Sequence, residues 1–283
     1  MHGRPHVWLA WLLAACSASE GRLFAPSERA NEAGTAEPPG DAGAARRDGG
    51  TDALRPGMRL QYQLTGALDT AADAELFVVD LFETSRGQID TLHARGKTVI
   101  AFIAAGSLEP WRPDVDALPA AAIGNPLAGY PQEAWLDVRD PSVRQLLVGR
   151  LTLAADKGFD GVALVSLDAY LADNGHGLSA DDQLSYNLWL AERAAQAGLL
   201  AGITSDWPHA AALAPHYAFA IHLNCVADQR CNELDPYRAQ GRPVFDLEIR
   251  GEDQASACAA ARAMELPITF KRDSFDAWIS TCP

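Results

Sequence analysis

Carboxylates stand at or just after the ends of short apolar runs in this chain: Asp80 and Glu83, Glu109, Asp168, Asp206 and Glu248. Two carboxyl groups that face each other can divide acid and base work between them. Glycosidic cleavage uses such a pair, about 5 Å apart for retention and about 6.5 to 9.5 Å apart for inversion. Asp80, Asp168 and Glu248 are the candidates for that role. Acids at strand ends also cap helices or pair with cations, here Arg112, Arg139 and Lys271, so residue type leaves both uses open. Aromatic residues fall in the same stretches: Tyr62, Trp111, Tyr130, Trp135, Tyr170 and Trp207. Their rings can hold a sugar face or fill a core. Trp207, in the loop-like Ser205-Asp206-Trp207-Pro208, is the ring expected to be most exposed. His176, His209 and His216 receive no role, and Trp189 is expected to face the core of a long helix.

The elements that must position these groups read as strands over residues 59–64, 76–80, 98–104, 160–165, 200–204, 218–222, 244–248 and 267–270. Between them lie helix signals: Asp140-Pro141 before an apolar-periodic stretch, Ser179 with Asp182 three residues on, and Gly158 and Gly198 as stops. Strand and helix in alternation give a parallel sheet. Eight such units predict an α/β fold with a single (β/α)8 TIM-type barrel, whose ligands sit at the C-terminal strand ends. An open doubly wound sheet is disfavoured because no Gly-rich nucleotide loop follows the first strand.

Residues 1–15 read as a signal peptide: Arg4, then an apolar run from Val7 to Ala15 too short to span a bilayer. Leu13-Ala14-Ala15-Cys16 matches a lipobox, so Cys16 is the expected lipidation site, with an ordinary cleavage near Ala15 or Ala18 as the alternative. Both readings export the protein, and the first anchors it to a membrane of the cell envelope. Residues 16–56 are poor in large apolar side chains and are expected to form a flexible tether. Residues 57–283 form the barrel. A net charge of −14 without clustered Lys and Arg excludes nucleic acid and favours a neutral or cationic ligand. Cys225, Cys231, Cys258 and Cys282 make an even number in an exported chain. Spacing does not fix the pairing; Cys225 with Cys231 and Cys258 with Cys282 are expected. No His stands at ligand spacing to these cysteines, so neither a metal nor another cofactor is expected.

Several segments in register resemble family 114 glycoside hydrolases of the endo-α-1,4-polygalactosaminidase type. They include residues 62–66, 79–85, 135–139 and 158–162, and Ala105-Gly106-Ser107-Leu108-Glu109-Pro110-Trp111-Arg112-Pro113-Asp114. Asp182-Gln183, Tyr186-Asn187, Trp189-Leu190-Ala191 and Gly241-Arg242-Pro243-Val244-Phe245 leading to Glu248 complete the set. The resemblance implies a TIM-type barrel and a galactosamine-rich polysaccharide as partner. It also implies that Asp80, Glu109, Trp111, Arg112, Asp168 and Glu248 line the substrate site, and the strand-end aromatics Tyr62, Tyr170 and Trp207 complete the expected substrate-binding set.

The chain departs from that pattern where chemistry is expected. Ala163-Leu164-Val165-Ser166 replaces a family Glu-Pro-Asp-Asn, which puts Val165 at the aspartate position. Thr204-Ser205 replaces Lys-Asn, and His222-Leu223-Asn224-Cys225 replaces Asn-Glu-Glu-Cys. Valine and leucine carry no titratable proton, and loss of one partner of a catalytic pair costs orders of magnitude in rate. The expectation is a pseudoenzyme that binds with little or no hydrolysis. Two alternatives stay open: an active endo-glycosidase with relocated carboxylates, and a structural envelope lipoprotein without a saccharide site.

Overall fold

The computed structural model describes residues 54–249 and 253–282. The expected signal peptide, Cys16 and nearly all of the expected tether lie outside the described residues. Eight parallel strands form the barrel: β1 (Leu60–Gln63), β2 (Leu76–Asp80), β3 (Thr98–Ala104), β7 (Gly161–Val165), β8 (Leu200–Ile203), β9 (Phe219–Leu223), β10 (Val244–Glu248) and β11 (Ile268–Phe270). Each agrees with an expected strand to within a residue or two. Helices α1 (Arg86–Ala94), α2 (Pro141–Lys157), α3 (Ala180–Gln196), α4 (Ala210–Leu213), α5 (Asp235–Ala239) and α6 (Gln254–Ala263) fill connections on the outside. Among the described residues no helix follows β1, where the 64–75 segment crosses directly to β2.

The strands are apolar on both faces because each is covered twice. Leu60, Tyr62, Val78, Ile100, Ala163, Phe219, Ile221, Phe245 and Leu247 fill the barrel interior over a floor of Leu54 and Met58. The alternate residues, among them Val79, Val99, Val162 and Ile203, pack outward on Ile89, Leu147, Leu151, Tyr186 and Leu190. Gly202 is required by that interior: a Cβ there would lie 2.1 Å from the Phe219 ring.

The helix signals act as read. Asp140 caps α2 by accepting from the Ser142 amide, and Gly158 stops it at φ 90°. Ser179 and Asp182 form a capping box on α3, as Ser85 and Gln88 do on α1.

The barrel seam is closed by side chains. Thr269 Oγ1 donates to the Leu60 carbonyl at 3.1 Å, and Lys271 Nζ donates to Gln61 Oε1 at 3.0 Å. A ninth strand, β12 (Ser280–Thr281), runs antiparallel on β11. The disulfides pair as expected: Cys225–Cys231 closes a short loop after β9, and Cys258–Cys282 ties α6 to the chain end beyond β12. A second antiparallel sheet, β4 (Ser107–Leu108), β5 (Ile123–Leu127) and β6 (Tyr130–Leu136), stands after β3. Sequence reading does not anticipate it, because Gly124, Pro126, Gly129 and Pro131 make the stretch look like a loop.

Candidate functional site at the barrel mouth

Strand alternation decides which side chains reach the mouth. Ala163 lies in the interior, so Val165, two residues on, closes the same face of β7; by the same rule Thr204 continues the inner face of β8. Leu223 packs against the interior cluster directly, together with Leu64, Phe102, Ile249 and Phe275. Thr204 Oγ1 donates to the Leu164 carbonyl at 3.0 Å. Asn224 is buried and accepts from the Ile249 amide at 2.9 Å. The centre of the mouth is therefore apolar. Phe275 reaches it from the segment after β11, whose main chain accepts from the Leu64 and Thr65 amides. The Phe275 ring sits 5.4 Å from Tyr62, which also meets Phe102 edge-on. Burial pushes the Tyr62 hydroxyl well above the usual phenol range. Ser166, Asp206 and Asn224 all leave neighbouring strands at positive φ of 60 to 64°, a conformation that non-glycine residues adopt only when their surroundings hold them.

Asp80, Glu109 and Arg112 come together beside this centre. Arg112 forks to Asp80 through Nη1 (3.0 Å) and Nη2 (2.6 Å), and to Glu109 through Nε (2.7 Å) and Nη2 (2.8 Å). All three are buried, and Asp80 Oδ1 also accepts from the Phe82 and Glu83 amides. Desolvation works against the Arg112 charge, but the hydrogen bonds it donates to the two acids outweigh it and hold its pKa above the usual range. Both carboxylates are held by one guanidinium.

A carboxylate that sequence reading missed lies next to them. Glu133, half-buried on β6, accepts from Ser107 Oγ at 3.0 Å, and Ser107 Oγ is 3.2 Å from Ser166 Oγ. The segments meet because Gly106 lacks a Cβ, which would stand 1.8 Å from the Ser166 carbonyl. Burial raises the Glu133 carboxyl, Ser107 opposes that shift, and the negative charge of Glu109 adds to it. Trp111 and Tyr130 are exposed at 55% and 56%, so they are free to meet a ligand face. No sequence signal marks Glu133, because the strand that puts it on one face with Trp135 is itself hidden by the neighbouring glycines and prolines.

The remaining candidates sit elsewhere. Asp206 is fully buried and binds Tyr170 Oη at 3.1 Å, Asn187 Nδ2 at 2.7 Å and His209 Nδ1 at 2.9 Å. Asp168 is half-buried; burial and then the charge of Asp206 raise its carboxyl. Tyr170 stacks on His209 at 5.2 Å. Trp207 is half-buried, contrary to the exposure expected of it, because its ring lies flat on His222 at 4.6 Å and edge-on to Tyr237. His222 in turn contacts Glu233 at 2.9 Å.

Glu248 alternates with the interior Leu247 and so faces outward, away from Asp80. Its Oε1 accepts from the Val226 and Ala227 amides at 2.9 and 3.1 Å, and Asp246 Oδ1 accepts from the Cys225 amide at 2.9 Å. Glu248 thus orders the disulfide loop. Asp246 lies near both sulfurs of Cys225–Cys231, but a disulfide offers no thiolate to a metal ion.

Residues 43–283 match the glycoside-hydrolase family GH114. The chain belongs to this family. Among solved structures it is similar to Aspergillus fumigatus Ega3, determined in complex with galactosamine: 30% identity and a TM-score of 0.77, covering 81% of this chain and 96% of that one. The glycoside hydrolase domain of PelA from Pseudomonas aeruginosa shares the fold at 16% identity and a TM-score of 0.64, covering 79% and 98%. No curated protein matches the chain. Within the GH114 barrel, the side chains of Val165 and Leu223 lie on the inner face of the mouth, whereas Glu248 lies on the outer face of its strand.

Proposed function

We propose that this GH114 chain holds a galactosamine-containing polysaccharide across its barrel mouth with little or no hydrolysis. The observation that carries the reading is the apolar centre, with Val165 and Leu223 on the interior face at the positions where the family resemblance expects acids. Asp80 and Glu109 are held by Arg112, and Glu248 is turned outward, so none of them replaces the missing pair. The complex of the similar Ega3 with galactosamine and the net charge of −14 support an amino sugar as ligand. Trp111 and Tyr130 would take the sugar faces. Lipid on Cys16 would tether the chain outside the cytoplasm, a placement that suits the two disulfides. Incorporation of labelled fatty acid that Cys16→Ser abolishes tests the tether.

Calorimetric titration of the chain with galactosamine oligosaccharides, run beside a reducing-end assay, tests the function. Binding without release of new ends is expected; steady release lost in Asp168→Asn would sink the non-catalytic reading. That second outcome has one observation behind it, since Asp168 is the candidate acid whose carboxyl is raised by burial and by the charge of Asp206.

A further inference from the structure

We propose that Glu133 makes this site selective for a free amino group on the sugar, by accepting the ammonium that an N-acetylated sugar lacks. The inference rests on the saccharide-binding reading above and adds the residue that sets its specificity.

Charge around the mouth points to this carboxylate. Arg112 carries one positive charge against Asp80 and Glu109, and all its short contacts go to those two acids. Glu133 adds a third negative charge and pairs with no cation directly, and the nearby cations, Arg112 and Lys157, are engaged by Asp80, Glu109 and the Leu81 and Phe82 carbonyls. Ser107 is its hydrogen-bond partner among the described residues and engages Oε2, which leaves Oε1 uncommitted. One hydroxyl hydrogen serves one acceptor. With Ser107 donating to Glu133, Ser166 donates to Ser107, and both hydroxyls become polarised toward the carboxylate. That chain begins at Ser166, next to Val165, so it runs from the apolar centre to Glu133.

Position separates Glu133 from the other acids. Asp206 meets three donors, and Asp246 and Glu248 are fully buried on the outer side of β10. Glu133 is half-buried, on the strand that begins with the exposed Tyr130; the Tyr62 hydroxyl lies within electrostatic reach of both Tyr130 and Glu109. A ring stacked on Trp111, next in the chain to the Arg112 whose charge reaches Glu133, could present a substituent to Oε1. Burial already penalises the charged form of Glu133, so an incoming ammonium would relieve an existing cost.

The test compares affinities of the full chain for α-1,4-linked galactosamine pentasaccharide and its fully N-acetylated counterpart at pH 6. The wild type should prefer the free amine roughly tenfold, the scale of one charge-assisted hydrogen bond. Glu133→Gln, which can still accept from Ser107, should bring the ratio to about twofold or less while the N-acetylated ligand binds as before. Glu133→Asp keeps the charge but withdraws it by one methylene and should give an intermediate ratio; melting curves would establish that both variants fold. An unchanged ratio in Glu133→Gln overturns the inference, as does a wild type that binds both ligands equally well, and in either case saccharide binding itself survives. A wild type that binds neither ligand overturns both readings together.

Discussion

Asp246→Asn should remove most of the loss of stability that the wild type suffers between pH 6 and pH 9. Asp246 and Glu248 are buried side by side; Oδ1 and Oε1 accept from amides of the disulfide loop, while Oδ2 and Oε2 meet no donor. One shared proton supplies the missing donor. Burial, and then the hydrogen bond to Glu248, push Asp246 up to about 8. An aspartate in the unfolded chain releases its proton near pH 4. The folded state therefore binds more protons in between, so this contribution to stability is complete below about pH 4 and declines as pH rises through 8. From pH 6 to pH 9 the loss is about two units at 1.36 kcal/mol each, or roughly 3 kcal/mol. For a domain of this size that is about 6 to 12 °C in Tm. Asparagine keeps the Oδ1 acceptor for the Cys225 amide and donates from Nδ2 to Glu248 without a titrating proton. Thermal melts of the oxidised wild type and variant at both pH values give a double difference in which all other titrations cancel. Parallel pH dependences, within about 0.5 kcal/mol, would refute the shared proton.

Three further outcomes follow from other parts of the molecule. Arg112→Met leaves Asp80 and Glu109 buried without a cation and should cost about 3 to 5 kcal/mol in urea unfolding, whereas replacing all three residues by apolar ones should cost far less. Cys258→Ser with Cys282→Ser opens a loop of sequence separation 24. The expected loss is about 3 kcal/mol, read from chemical denaturation under non-reducing conditions. Val165→Asp combined with Leu223→Glu should yield measurable release of reducing ends from polygalactosamine, and each single variant less than about a hundredth of the double, because an acid without its partner restores little.

The barrel was legible because parallel strands buried on both faces carry continuous apolar runs, and helix ends carry their own chemistry in Asp140, Ser179 and Gly158. The hairpin β5–β6 was not, since its glycines and prolines oppose strand propensity and its pairing with β4 is tertiary. The site was legible in part. Asp80, Glu109 and Arg112 were named from sequence and meet in space, but residue type could not show that they consume one another. Glu248 carries a half-signal: Phe245-Asp246-Leu247-Glu248 alternates strictly, which puts both acids on one face. Only the neighbouring strands decide that this face is the outer one.

The acids of the barrel divide into those that hold structure and those open to a ligand. Asp80 fixes the 82–83 turn and Arg112; Asp246 and Glu248 fix the disulfide loop; Asp206 fixes Tyr170, Asn187 and His209. Removing any one of these leaves buried donors without acceptors, which costs about 1 to 3 kcal/mol for each group. Leu223 packs on the interior cluster and Val165 closes the inner face of β7, so the apolar residues at both positions continue the packed centre. An apolar side chain at these two positions therefore leaves none of these donors without its acceptor. At Asp80, Asp206 or Asp246 it would strand them.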